Sequence, residues 1–253
     1  MCVAFRSKLG TSDILMRYRD LMSNTAALLA FVRDELTALA DPEKAAPMAA
    51  YMKTEQPFYG VQAGPRRRIA AEAARRLPPA RREDYEAGVL ALWEQPHREE
   101  KYIAIAWARE HPAFVEYDSL PLYEMMIRDG AWWDLVDEIA IHLVGTVLRV
   151  DPDRTWPVID RYARDGNLWL RRTALICQNR MGARVDHRRL FAYCLAMAVE
   201  KDLFIQKAIG WALREYSYTN PEAVQGFLQF HRDELPGLSH REGSKRLRKL
   251  GLM

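Results

Sequence analysis

The chain has 253 residues, 49% of them apolar and 28% charged, with a formal net charge of +3. That balance belongs to a folded chain with a sizeable core and excludes a low-complexity or strongly polyionic one, while the mild basicity permits a nucleic-acid partner without selecting it. Cys2, Cys177 and Cys194 are odd in number and lack metal-ligand spacing, which points to a reducing cytoplasm, and no apolar run approaches the roughly 20 residues that span a bilayer.

The opening MCVAFRSKLG lacks the hydrophobic stretch and cleavage site of a secretory signal. Residues 1–21 are expected to be an N-terminal extension, either a disordered basic arm or the product of a mis-assigned start. A single domain is expected over 22–253, opening with a helix in MSNTAALLAFVRDEL. Further along, apolar residues recur at helical spacing over Ala26–Leu39, Ile69–Leu77, Tyr85–Trp93 and Glu99–His111, and no stretch alternates with period two. The fold class is therefore all-α. Helix breakers stand between the segments: Asp41-Pro42, Pro78-Pro79, Gln95-Pro96, His111-Pro112, Asp151-Pro152, Asp165-Gly166 and Asn220-Pro221. The loops they imply are short, and pairing the helices gives units near 45–77, 82–112, 119–150, 153–181, 186–217 and 221–252. A period of roughly 35 to 40 residues is that of a superhelical array of HEAT-like two-helix repeats, in which each repeat lends one helix to a concave groove.

Three segments carry chemistry-bearing residues. In GAWWDLVDE, Trp133 and Asp137 lie four apart and share a helix face, while Trp132 points elsewhere; core tryptophans beside solvated carboxylates are the plain alternative. NLWLRRTA places Arg172 one turn after Trp169, either as a surface cation or as an anion ligand. FIQKAIGWALRE sets Lys207, Trp211 and Arg214 at i, i+4 and i+7, a cationic-aromatic stripe typical of a nucleic-acid surface, although a core tryptophan with snorkelling basic neighbours fits too. Gly210 inside this helix costs roughly 1 kcal/mol relative to alanine, which suggests a close approach there. The six histidines show no metal-binding spacing, and no metal or other cofactor is expected. The basic run Lys245-Arg246-Leu-Arg248-Lys249 fits a phosphate clamp and a solvated helix end equally well.

The segments YMKTEQPFYGVQAGPRRR (51–68), WWDLVDEIA (132–140), NLWLRRTALICQ (167–178) and FIQKAIGWALREYSYTNP (204–221) resemble, in order and spacing, the signature segments of the AlkD-type DNA alkylation-repair glycosylases. One departure is Gly64, with Pro65 one place later, where the family usually has proline two places before its paired arginines; it bears on the local loop. The resemblance implies a superhelix whose basic groove grips duplex DNA and a monomeric, monofunctional enzyme that hydrolyses the N-glycosidic bond of cationic 3- and 7-alkylpurines without enclosing a flipped base. It also implies Asp137 as the catalytic carboxylate, Trp133 and Trp211 as the aromatics at the lesion's sugar, Arg172 as a phosphate ligand, and Arg214 and Lys207 as further backbone contacts. The alternative from another class is a non-catalytic helical-repeat module that binds nucleic acid or a protein partner. Asp137 argues against it, because a groove that only holds phosphates has no use for a carboxylate.

Overall fold

The computed structural model describes residues 11–253, with side chains from Asn24 onward, and helices are its only regular elements. Two compact units, divided after Phe114, make up the chain.

The first unit contains α1 (Thr11–Ala38), α2 (Pro42–Met52), α3 (Ala63–Arg76), α4 (Arg82–Trp93) and α5 (Arg98–Arg109). Helix α1 passes through Met22, so the expected domain start falls inside a continuous helix; residues 1–10 of the expected extension lie outside the described residues. The breakers act as the sequence suggests. Asp41 caps α2 by accepting the Glu43 and Lys44 N–H groups, and Pro42 fills a first-turn position where a missing N–H costs nothing. Pro65 likewise sits in the first turn of α3, so the displaced proline is accommodated without breaking the helix. Helix α3 packs on α5, and α1 and α5 both pack on α4.

Between α2 and α3 the chain turns at Gly60, whose φ of 87° needs glycine and whose added Cβ would fall 2.0 Å from the Asp41 carbonyl oxygen. The turn is tied down by Glu99 of α5, fully buried, whose carboxylate accepts the N–H groups of Tyr59 (3.2 Å), Gly60 (2.9 Å) and Val61 (3.0 Å). A buried carboxylate satisfied by backbone donors is a structural device, and here it fixes the Tyr59–Val61 turn of the signature segment.

The second unit runs α6 (Leu120–Gly130), α7 (Trp133–Ile139), a π turn (Ala140–Val144), α8 (Gly145–Val150), α9 (Pro152–Tyr162), α10 (Leu168–Ile176), α11 (His187–Ala196), α12 (Leu203–Tyr216), α13 (Pro221–Phe230), α14 (Gly237–Gly243) and α15 (Lys245–Lys249). Asp151, Asn167, Asp186, Asp202 and Asn220 cap α9 to α13 through their side chains. Each expected repeat from 119 onward holds a first helix (α6, α9, α11, α13) and a second (α7 to α8, α10, α12, α14 to α15). The second helices stack in sequence: α10 packs on α7 and the π turn, α12 on α10, and α14 on α12. That row fixes the site, because every candidate residue of this unit stands on it.

Candidate active site

Helix α6 ends at Ala131 in a left-handed conformation (φ 33°), and Trp132 follows in extended backbone as the N-cap of α7. This turn separates the two adjacent indoles. Trp132 swings toward α10 and α12, with its ring centroid 6.1 Å from that of Trp169 and 5.3 Å from that of Phe204; Trp169 and Phe204 are 5.0 Å apart. Trp133 begins α7 half-buried. One turn later Asp137 projects at the end of α7, immediately before the π turn; single π turns inside helices often accompany functional sites.

Asp137 does not stand alone. Arg172 of α10 donates from Nε to Oδ1 and from Nη2 to Oδ2, both at 2.7 Å, and from Nη1 to the Phe204 carbonyl at the start of α12, 2.6 Å away. The fork to both oxygens requires the carboxylate form. The two side chains are 14% and 6% exposed respectively, so the pair is nearly buried. Burial pushes the Asp137 carboxyl above its ordinary pKa; Arg172 opposes that rise, and Asp134 and Glu138 reinforce it. Arg172 is thus the joint of three consecutive helices: it bonds α7, stands on α10 and bonds the first turn of α12. Of five guanidinium N–H groups three are engaged, and two remain for another acceptor.

On α12, Phe204, Lys207, Trp211 and Arg214 form a stripe with helical spacing. Lys207 is exposed and has no ion-pair partner among the described residues; Trp211 is half-buried. Arg214 turns toward α14, where its Nη1 donates to Glu242 at 2.9 Å, and Glu242 also binds Lys245 at 2.6 Å. The close approach expected at Gly210 comes from the same helix: an added Cβ would meet the Glu242 Cβ at 2.5 Å and the Ser239 carbonyl oxygen at 2.9 Å. Ser239 further ties the two helices through its Oγ bond to the Gln206 carbonyl at 2.8 Å. Gly210 therefore serves helix packing. In the basic C-terminal run, the Arg246 guanidinium lies 4.1 Å over the Tyr218 ring and Lys245 is paired with Glu242.

The six sequence-predicted residues thus fall on three helices packed side by side, with direct bonds linking Asp137 to Arg172. Sequence reasoning missed the Phe204 carbonyl, the Trp132–Trp169–Phe204 cluster and Glu242. An aromatic at the start of α12, in register with two tryptophans on neighbouring segments, was the signal for the cluster; nothing in the sequence marks the carbonyl or Glu242. Among the described residues no group of histidine, cysteine and carboxylate side chains could hold a metal, and no helix is long and apolar enough to cross a membrane.

The family model for the DNA alkylation repair enzyme matches residues 32–247. A predicted DNA alkylation repair enzyme from Enterococcus faecalis is similar in structure, with a TM-score of 0.77, 29% sequence identity, and coverage of 83% of this chain and 97% of that one. No curated protein sequence matches. The chain belongs to the DNA alkylation repair enzyme family.

Proposed function

We propose, on the premise that this chain is a DNA alkylation repair enzyme, that it is a monofunctional glycosylase of base excision repair. It hydrolyses the N-glycosidic bond of cationic N3- or N7-alkylated purines in duplex DNA, acting as a monomer in the cytoplasm. The observation that carries the reading is the buried Asp137 carboxylate, held as an anion by the Arg172 fork on a row of helices that also bears two half-buried tryptophans.

The chemistry asks little of the protein. A purine alkylated at N3 or N7 is already positive, so it departs neutral when the bond to the sugar breaks, and no general acid is required. What needs stabilising is the oxocarbenium-like sugar. A carboxylate about 4 Å away at an effective dielectric near 20 supplies on the order of 4 kcal/mol, roughly a thousandfold in rate. Asp137 has that role and also orients the attacking water. Indole faces present negative quadrupole density, so Trp133 and Trp211 each add about 1 kcal/mol toward a cationic sugar and exclude bulk water.

Arg172 takes two parts in this reading. In the free protein it neutralises Asp137 and keeps a buried carboxylate ionised. When a phosphate arrives, the two unused N–H groups offer it a contact, and any weakening of the fork leaves Asp137 more negative where the sugar cation forms. Lys207 and Arg214 bind flanking phosphates, Arg214 by exchanging Glu242 for DNA.

The test is to incubate the protein with duplex DNA containing 7-methylguanine and to measure released base and strand integrity. Free 7-methylguanine with an intact, alkali-labile abasic strand is the expected result. Tight DNA binding with no base release would establish the binding-module alternative instead.

A further inference from the structure

A cavity lined by none of the residues of the Asp137–Arg172 site lies between the segment that follows α10 and the C-terminal end of α12. It is partly open to solvent and offers about 190 Å³, and its lining includes Asn179, Arg180, Leu190, Glu215, Tyr216 and Tyr218. That is more than ten times the roughly 10–15 Å³ that a single water needs on the same measure, enough for a one- or two-ring molecule.

Two of its polar groups serve no purpose in the fold. Gln178, immediately before, uses both ends of its buried amide on the Asp186 backbone, accepting at 2.7 Å and donating at 3.3 Å. Asn179 is only 4% exposed, yet its amide makes no such bonds, and its Nδ2 is buried without a partner. Buried amides that serve a fold are hydrogen-bonded. The half-buried Glu215 carboxylate, one turn beyond Trp211, likewise has no hydrogen-bond or ion-pair partner among the described residues. The chain also holds Arg180 in the left-handed region (φ 68°) at the edge of this cavity, a conformation unusual for arginine.

These groups define the complementary ligand. The buried Asn179 Nδ2 donates, while its Oδ1 and the Glu215 carboxylate accept, so the ligand presents an acceptor beside at least two N–H donors. Tyr216 and Tyr218 supply ring surfaces beside an aliphatic wall, so it is flat. It is uncharged, because the lining holds both a cation, Arg180, and an anion, Glu215, and Arg246 already occupies a face of Tyr218 at 4.1 Å. A neutral bicycle with adjacent N–H donors on one edge and an acceptor beside them, matched by the Arg180 guanidinium, has the Watson–Crick edge of guanine; pockets that take extruded bases read that edge in the same way.

We propose that this cavity is a binding site for a free guanine-type base, separate from the Asp137–Arg172 site and independent of whether the protein excises alkylated purines. The experiment is a calorimetric titration of the whole protein, without DNA, using 9-methylguanine and 9-methyladenine as probes. Adenine carries an acceptor at N1 where guanine carries a donor, and a site built to accept N–H groups rejects the analogue that lacks them. Binding of 9-methylguanine at least tenfold tighter than 9-methyladenine is expected. Glu215→Gln and Tyr218→Ala, both at positions that are not fully buried, should each weaken it at least threefold, Glu215→Gln by tenfold or more, with unchanged melting curves. No binding of 9-methylguanine at millimolar concentration, equal affinity for the two probes, or full affinity in both variants would overturn the proposal.

Discussion

Arg172 grips Asp137 through two parallel N–H···O bonds of 2.7 Å while its third engaged nitrogen holds the Phe204 carbonyl, so one side chain joins α7, α10 and α12. A residue expected to face DNA is, in the free protein, an internal clamp on the carboxylate. Several measurable consequences depend on that relationship.

Asp137→Asn keeps the shape and one acceptor but removes the charge. Single-turnover excision should fall by about two to three orders of magnitude, and DNA affinity should hold or rise slightly as a negative charge disappears. Burial already disfavours the ionised carboxylate in the folded state, which offsets the lost ion pair, so urea melts should show little change in stability. An excision rate near that of the wild type would remove Asp137 from the mechanism.

The acid side of the pH–rate profile reports Asp137 directly. Burial holds its carboxyl above the ordinary range, so activity should decline with acid at a higher pH than an exposed aspartate would give. In Arg172→Ala the opposing guanidinium is gone and the decline should shift further toward neutrality. Linkage gives the sign for stability. A carboxyl raised in the folded state binds its proton more readily there, so its contribution is present below the unfolded pKa and is lost as pH rises through the folded one. Arg172→Ala should therefore cost more stability at neutral pH than at pH 4, which chemical denaturation at the two values would reveal; an equal cost would show that Asp137 is not the coupled group.

Salt dependence separates the cations. If about four to six phosphates are neutralised, log affinity should fall against log salt with a slope of about −4 to −5. Lys207, exposed and without an ion-pair partner among the described residues, should account for nearly one unit of that slope, measured by fluorescence anisotropy of Lys207→Ala. Arg214→Ala should flatten it less, because binding DNA first costs the bond to Glu242. Affinity that does not change with salt would point away from a nucleic-acid partner.

Gly210→Ala tests the packing of α12 on α14. The new Cβ would meet the Glu242 Cβ and, harder to move, the Ser239 backbone. Overpacking of this kind costs typically 1 to 3 kcal/mol, more than the roughly 1 kcal/mol that alanine gains over glycine in helix propensity, so the melting temperature should drop. A rise would mean that the two helices can part.

The fate of the product depends on Lys207. A lysine that attacks the sugar acts from a desolvated pocket, whereas Lys207 is exposed. Borohydride should trap no covalent protein–DNA adduct during excision. An adduct that disappears in Lys207→Ala would make the enzyme bifunctional.

The helices were legible because their causes are local. Asp41-Pro42, Asp151-Pro152 and Asn220-Pro221 each cap and open a helix through the side chain and ring of adjacent residues, and apolar spacing sets the buried faces. The same spacing put Trp133 beside Asp137, and Lys207 beside Trp211, on single helix faces. What a residue meets across the gap between helices was not legible. Arg172 reads equally well as a surface cation or a phosphate ligand until α7 and α12 close around it, and Gly210 signals a close approach without naming α14 as the cause. Trp132 and Trp133 were separable in principle, but that Trp132 stands in extended backbone as the N-cap of α7 and meets Trp169 and Phe204 was not legible. Periodicity is a property of one chain segment, whereas an ion pair or a carbonyl contact depends on the rotation and offset of two helices, and these follow from how the whole row of side chains packs.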